Sequence, residues 1–373
     1  MRRIPDRVVS LFARSVIGGL VCLAIVRIGR TDDRPKAVVH KVLDAWNHRK
    51  MNIQSFVYRF ELEWSLPVGS RNHLAPAYMR KDGRNVPSKD VVLRSSWVCA
   101  FSSGKMMVSQ RGDGWSDETD SVRAKETKAS FGGSESKTLI MSPTDPFGIG
   151  ELITGDDPSD LIVNHVNLIP LWLSVCPLEQ LRRMGCKTDD IECDPLPVSY
   201  DGHDGVQLRF SSGVASRTTF VTVDPSRDSI PMRLLRERTG HRTSDLAIHY
   251  VEDARIGWRV SSWERTEFSN SGKVTDSRSC KVIECSINDP VAGELLTFQF
   301  PEGTNVLEQN GDTRKYFVAL ANGKRHYITE HEFGRLPRSP IDASKRGNST
   351  RIVAAIFASL LTLGVFLLWL RRK

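Results

Sequence analysis

The sequence predicts a mainly antiparallel β fold with a small helical component, an α+β domain, and three observations carry that prediction. Phe56, Tyr58, Phe60, Leu62, Trp64 and Leu66 alternate with Val57, Arg59, Glu61, Glu63 and Ser65, the two-residue period of a strand with one buried face. From Gly205 onward, strand-length segments follow one another with turn residues between them. Within the middle of the chain the long helical signals fall in two places, about residues 33–49 and 157–175.

Taken in order, the first element is a helix from about Asp33 to Arg49. An aspartate caps it, Pro35 sits in its first turn, and Val39, Val42, Leu43 and Trp46 share one face. The Phe56–Leu66 strand comes next, and its length implies an extended, curved sheet. A second strand carries Leu93, Ser95, Trp97, Cys99 and Phe101 on one face and turns back at Ser102-Ser103-Gly104-Lys105. Residues 112–137 are polar and rich in Gly and Ser, the composition of a long surface loop. Asp157-Pro158-Ser159-Asp160 starts a helix that Pro170 should kink or break. A meander follows: Val206–Phe210, Thr218–Val223, Pro231–Arg238, Leu246–Tyr250, Trp258–Phe268 and Lys281–Ile287. A last hairpin turns at Asn322-Gly323 and precedes Thr329-Glu330-His331-Glu332, a capping-box pattern.

The two ends read differently from the middle. Ile352 to Leu370 is an uncharged run of nineteen residues, about 28 Å at helical rise, closed by Arg371, Arg372 and Lys373. It has the length of a membrane span with a cytoplasmic tail. At the other end, Arg2, Arg3, Arg7 and Arg14 precede the apolar stretch Val16–Val26, the layout of a signal peptide or an uncleaved signal anchor. The expected organisation is therefore a signal segment at 1–30, an extracytoplasmic domain at 31–333, a flexible stalk at 334–350 and a transmembrane anchor at 351–373. The main domain would face a periplasm-like space from the inner membrane.

The formal charge of +8 is concentrated at those ends. Six arginines fall in the first 30 residues and four basic residues in the last 23, so the middle is nearly neutral. Nucleic acid is excluded as the default partner. Six cysteines lie beyond Cys22, so an oxidising compartment permits up to three disulfides among fifteen connectivities; Cys186 and Cys193, which flank the polar segment Lys187–Glu192, are the local pair that a disulfide could join. No H-E-x-x-H, G-x-S-x-G or phosphate-binding glycine loop occurs, and no C-x-x-C pair or histidine at ligand spacing supports a zinc site. The residues point to no catalytic group, cofactor or metal. Asp201-Gly202-His203-Asp204-Gly205 reads as a solvated turn, and so does Arg111-Gly112-Asp113.

A helix, a long amphipathic strand, a hairpin, central helices and a meander lead to Ile287-Asn288-Asp289-Pro290 and Phe298-Gln299-Phe300-Pro301-Glu302-Gly303-Thr304. This order resembles the bacterial outer-membrane lipoprotein carrier superfamily, with its LolA-like, LolB-like and RseB-like domains, over residues 35–307. In that family the closing segment reads as Asp or Asn with Pro, a phenylalanine-rich strand, then Pro-x-Gly. The resemblance implies an unclosed half-barrel sheet wrapped over central helices, with an apolar cavity between them that takes acyl chains. Phe56, Tyr58, Phe60, Leu62 and Trp64 would then line the concave face, and Leu161, Ile162, Leu168 and Leu171 the helical lid. The plainer alternative is that these side chains make a packed core. The expected function is a membrane-anchored, non-enzymatic domain that binds lipid, a lipoprotein acyl chain or an envelope partner protein. The competing expectation is a tethered interaction or scaffold domain with a solid core.

Overall fold

The computed structural model describes residues 34–143, 145–154, 167–194, 197–200, 202–212 and 216–335. The signal segment, most of the stalk, the Ile352–Leu370 run, Leu161 and Ile162 lie outside the described residues. Among the described residues, no helix is long and apolar enough to cross a membrane.

One sheet organises the chain. Strands β1 (Ser55–Leu66), β2 (Val91–Ser102), β3 (Lys105–Ser116), β4 (Ser121–Gly132), β5 (Glu135–Ser142) and β6 (Asp145–Thr154) pair in succession, each antiparallel to the last. On the other side of β1 lies β14 (Val274–Ile287), then β13 (Gly257–Phe268), β12 (His241–Asp253), β11 (Ile230–Arg238), β10 (Arg217–Asp224) and β9 (His203–Ser212). Two short strands, β7 (Cys186–Cys193) and β8 (Val198–Tyr200), finish that edge against β9. At the far edge, β15 (Asn305–Asn310) runs parallel to β6, followed by β16 (Thr313–Ala319) and β17 (Arg325–Ile328). No described pairing joins the two edges, so the sheet is unclosed.

The helices fill its hollow. α1 (Arg34–Asn52) contributes Val42 and Trp46 to a core that also takes Phe56, Tyr58, Phe60 and Leu62 from β1, Trp97 from β2 and Trp263 from β13. A short α2 (Ala77–Lys81) lies outside, in the β1–β2 connection. α3 (Ile169–Val175) is buried on every side, as its nearly all-apolar sequence requires, with the one hydroxyl, Ser174 Oγ, donating to the Leu171 carbonyl, and α4 (Pro177–Arg183) buries Pro177, Gln180 and Leu181. Pro170 lies in the first turn of α3, where its missing N–H leaves no intrahelical bond unmade, and the expected helix start at Asp157–Asp160 lies outside the described residues.

Two side chains lock α1 in place. Trp46 Nε1 donates to the Ser229 carbonyl at 2.7 Å. The buried Arg49 guanidinium donates to the carbonyls of Ser174 at the end of α3 and of Ile256 and Trp258 at the β12–β13 turn. Burial pulls the Arg49 pKa below its ordinary value, an effect opposed by Tyr250, Tyr58 and Asp228 nearby. At the helix C-terminus, Asn288 in left-handed conformation accepts from Gln54 N and donates to the Asn52 carbonyl. The Asn-Asp-Pro motif thus ties the end of β14 to the start of β1.

Several expectations need correction. Residues 112–137 are strand rather than loop, spanning the outer half of β3, all of β4 and the start of β5. Their backbone ladder carries the structure there, and it needs no apolar face because this part of the sheet reaches beyond the main core. Arg111-Gly112-Asp113 sits inside β3 opposite Ser95 and Ser96, where a Cβ on Gly112 would strike the Arg94 carbonyl. Phe298 to Pro301 is irregular chain rather than a strand. Phe300 lies over Gly150 in the space a side chain would fill, and joins a second core of Leu152, Val306, Phe317 and Ala319.

The Arg49 junction gives a stability prediction. Arg49→Met retains the apolar stem and leaves three carbonyls without their donor, so a urea titration should show a loss of about 3 kcal/mol. Lys50→Met, which removes only a surface ion pair, should stay within about 1 kcal/mol of the parent.

Candidate ligand-binding pocket

Of the expected cavity-lining residues that the structure describes, six lie in the main core. Phe56, Tyr58, Phe60, Leu168 and Leu171 are each no more than 1% exposed, and Leu62 is 4% exposed. Phe60 stacks on Trp97 with centroids 5.7 Å apart and meets the edge of Trp263 at 4.9 Å. Trp64 stands apart from this group. It packs near Leu66, Val91, Leu93 and Trp115, donates to Asp276 Oδ2 at 2.8 Å and lies under the Arg278 guanidinium. None of these seven side chains lines the cavity described next.

That cavity, about 670 Å³, opens at the rim of the unclosed sheet. Four pieces of chain meet there: the end of α1 (Lys50, Met51 and Ile53), the β2–β3 hairpin (Phe101, Ser103 and Gly104), the β4–β5 hairpin (Phe131 and Gly133) and the α3–α4 corner (Trp172 to Arg183). The two hairpin tips take left-handed conformations at Ser103, Gly104 and Gly133, which keeps the turns tight. Inside, the walls are mainly apolar: Ile53, Phe101, Phe131, Trp172 and Val175. The Trp172 ring meets Phe101 and Phe56 edge-on at 5.3 and 5.6 Å.

The mouth is charged. Lys50 Nζ and Arg183 Nη2 both reach the Glu179 carboxylate, at 2.7 and 2.9 Å. The hydrogen bond from Lys50, reinforced by Arg183, holds Glu179 below the ordinary carboxylate range against the opposing effect of partial burial. Deeper in the wall, Gln180 is 1% exposed and neither atom of its side-chain amide has a hydrogen-bond partner among the described residues. The Trp172 Nε1 is in the same situation. Such groups are rare in folded proteins, because an unmet buried polar group costs about 1–3 kcal/mol.

The sequence did not single out this pocket, since its lining comes from segments up to about 130 residues apart. One signal was readable: Gln180 interrupts the apolar stripe of Pro177 and Leu181, an amide where Leu or Met would ordinarily stand.

Other sequence candidates resolve into structure. Cys186 and Cys193 are free thiols at opposite ends of β7, on the order of 20 Å apart at strand rise, so they do not form the expected disulfide. The segment between them is strand, not loop. His203 opens β9 after the turn at Gly202, and Arg227 Nη2 lies 2.8 Å from its Nε2. Among the described residues, no group of His, Cys, Asp or Glu is placed to hold a metal ion. Thr329 and Glu332 form a reciprocal capping box at the start of α5 (Glu330–Arg335).

No protein-family model matches the chain, and no curated protein matches it. Among solved structures, PNGF-II is similar at 8% identity and a TM-score of 0.21, over 68% of this chain and 32% of that one. The chain thus spans about a third of the length of PNGF-II. MucB, solved in complex with MucA(peri), is similar at 9% identity and a TM-score of 0.19, over 75% of this chain and 73% of that one. Overlaps this shallow carry no argument about function.

Thiol chemistry checks the packing of the site. Burial pushes Cys176, in the pocket wall, up to about 12, and raises Cys99 and Cys280 further. Only the thiolate reacts. Timed alkylation of the native protein at pH 8, read by peptide mass spectrometry, should, among the described cysteines, modify the less enclosed Cys193 first and Cys99 and Cys280 only on unfolding.

Proposed function

We propose that this chain is a non-enzymatic binding domain, held at a membrane by the Ile352–Leu370 segment, that takes an apolar lipid or acyl chain in the rim pocket. The observation that carries this reading is the cavity itself. At about 670 Å³ it falls in the range of small-ligand sites, its inner wall is mainly aromatic and aliphatic, and it lies where the sheet meets the helices. The charged mouth of Lys50, Glu179 and Arg183 suits an amphiphile, with its tail in the pocket and its polar end among ion pairs. The lipoprotein-carrier resemblance, with its sheet-and-helix cavity, supports the same ligand class. In this reading the domain faces the extracytoplasmic side and acts in envelope lipid or lipoprotein handling, as a receiver or sensor at the membrane.

One observation favours a second reading. The aromatic face of β1 is filled by packed side chains, as a scaffold with a solid core would have it. In that case the domain would bind a partner protein through its surface and leave the rim pocket empty.

Native mass spectrometry of the full chain, with lipid extraction, tests the proposal. The parent should carry one apolar ligand per chain. Gln54→Trp, an exposed position on the pocket rim, should lower occupancy by at least about tenfold while the melting temperature stays unchanged. Equal ligand content in parent and variant would remove the pocket from the account.

A further inference from the structure

Resting on the pocket reading above, we infer that the ligand is a single-chain amphiphile with an anionic head, and that Glu179 competes with that head for the cations at the pocket mouth. The size of the cavity and the sign of its mouth carry the inference. A methylene takes up roughly the 30 Å³ of a water molecule in the liquid, so one sixteen-carbon chain needs about 500 Å³ and two need about 1000 Å³. The cavity, at about 670 Å³, has room for one such chain and not for two.

The mouth sets the head group. Lys50, Glu179 and Arg183 are the charged residues among the described lining, two cations against one anion. Lys50 comes from α1, while Glu179 and Arg183 stand one turn apart on α4. Their side chains are 57%, 37% and 25% exposed, so an incoming head group meets them directly. Glu179 is itself a carboxylate held between the two cations, with Lys50 Nζ 2.7 Å from one oxygen and Arg183 Nη2 2.9 Å from the other. The Lys50 ammonium carries three N–H donors and is more than half exposed, so it can serve a second acceptor beside Glu179. A ligand anion gains attraction from both cations and is opposed only by Glu179. A cationic head finds one carboxylate, already flanked by two positive charges. Carboxylate and phosphate heads both meet this description.

The sign of the Glu179 effect makes the inference testable. The full chain in non-ionic detergent is offered an equimolar mixture of hexadecanoic acid, hexadecyl phosphate, hexadecanol and hexadecylamine, and the bound adducts are quantified by native mass spectrometry. At least one of the two anions should exceed the alcohol by at least about fivefold. In Glu179→Gln that anion should rise by at least about threefold while the alcohol stays level, because the competing charge is gone. In Lys50→Gln it should fall toward the level of the alcohol. A second mixture pairs palmitoyl lysophosphatidylglycerol with dipalmitoyl phosphatidylglycerol, one head group on one chain or two, and the single-chain lipid should dominate.

Whichever anion binds tighter names the head group, and either one with these dependences upholds the inference. Preference for hexadecylamine that is lost in Glu179→Gln, equal binding of all four probes, or anion binding that Glu179→Gln leaves unchanged or weakens would overturn it and leave the pocket reading intact. Preference for the two-chain lipid would do the same. Anion binding that persists in Gln54→Trp would lie outside the pocket and overturn both, as would failure of every probe to bind.

Discussion

Three backbone carbonyls from two distant stretches of chain converge on Arg49, and the placement of the helices depends on that convergence. A buried guanidinium is tolerated only when its donors are met, because desolvation otherwise outweighs any local gain. The end of α3 and the β12–β13 turn must therefore be in position together for α1 to seat. Trp46 adds a second fixed point through the Ser229 carbonyl, and Asn288 a third at the helix C-terminus. The sheet is unclosed, and these contacts across its hollow hold the helices against its face.

The position of the pocket follows from the same constraint. α1 ends at Asn52, and the α3–α4 corner turns at Cys176, so the helices stop short of the hairpin tips at Ser103-Gly104 and Gly133. Deeper inside, Phe56, Phe60, Trp97 and Trp263 pack against one another and leave no wall for a ligand. The described cavity consequently lies at the rim, between side chains that the fold has already fixed. An aromatic face that in sequence could have lined a ligand cavity here packs behind the rim cavity, with Phe56 against Trp172.

Much of the fold was legible because its signals are local. The alternation from Phe56 to Leu66 became β1, the Ser103-Gly104 turn became the β2–β3 hairpin, and each strand from β9 to β14 falls where turn residues bound it. The failures among the polar strands have a shared cause. β4, β5 and β7 carry polar residues on much of both faces, so neither periodicity nor composition marked them as strands. Their pairing is decided by neighbours and by the backbone ladder, which a single segment does not reveal. The candidate site was hidden for a related reason. A face of alternating aromatics says that a strand is half-buried, and does not say whether packed side chains or a ligand covers it.

The most direct measurement is a crystal structure of the protein with a terminally brominated acyl chain, located by the anomalous signal of bromine. The account predicts a single bromine peak in the rim pocket, within van der Waals reach of Phe101, Phe131, Trp172 or Val175. A peak on another surface, or none beside a fully occupied protein lattice, would contradict it.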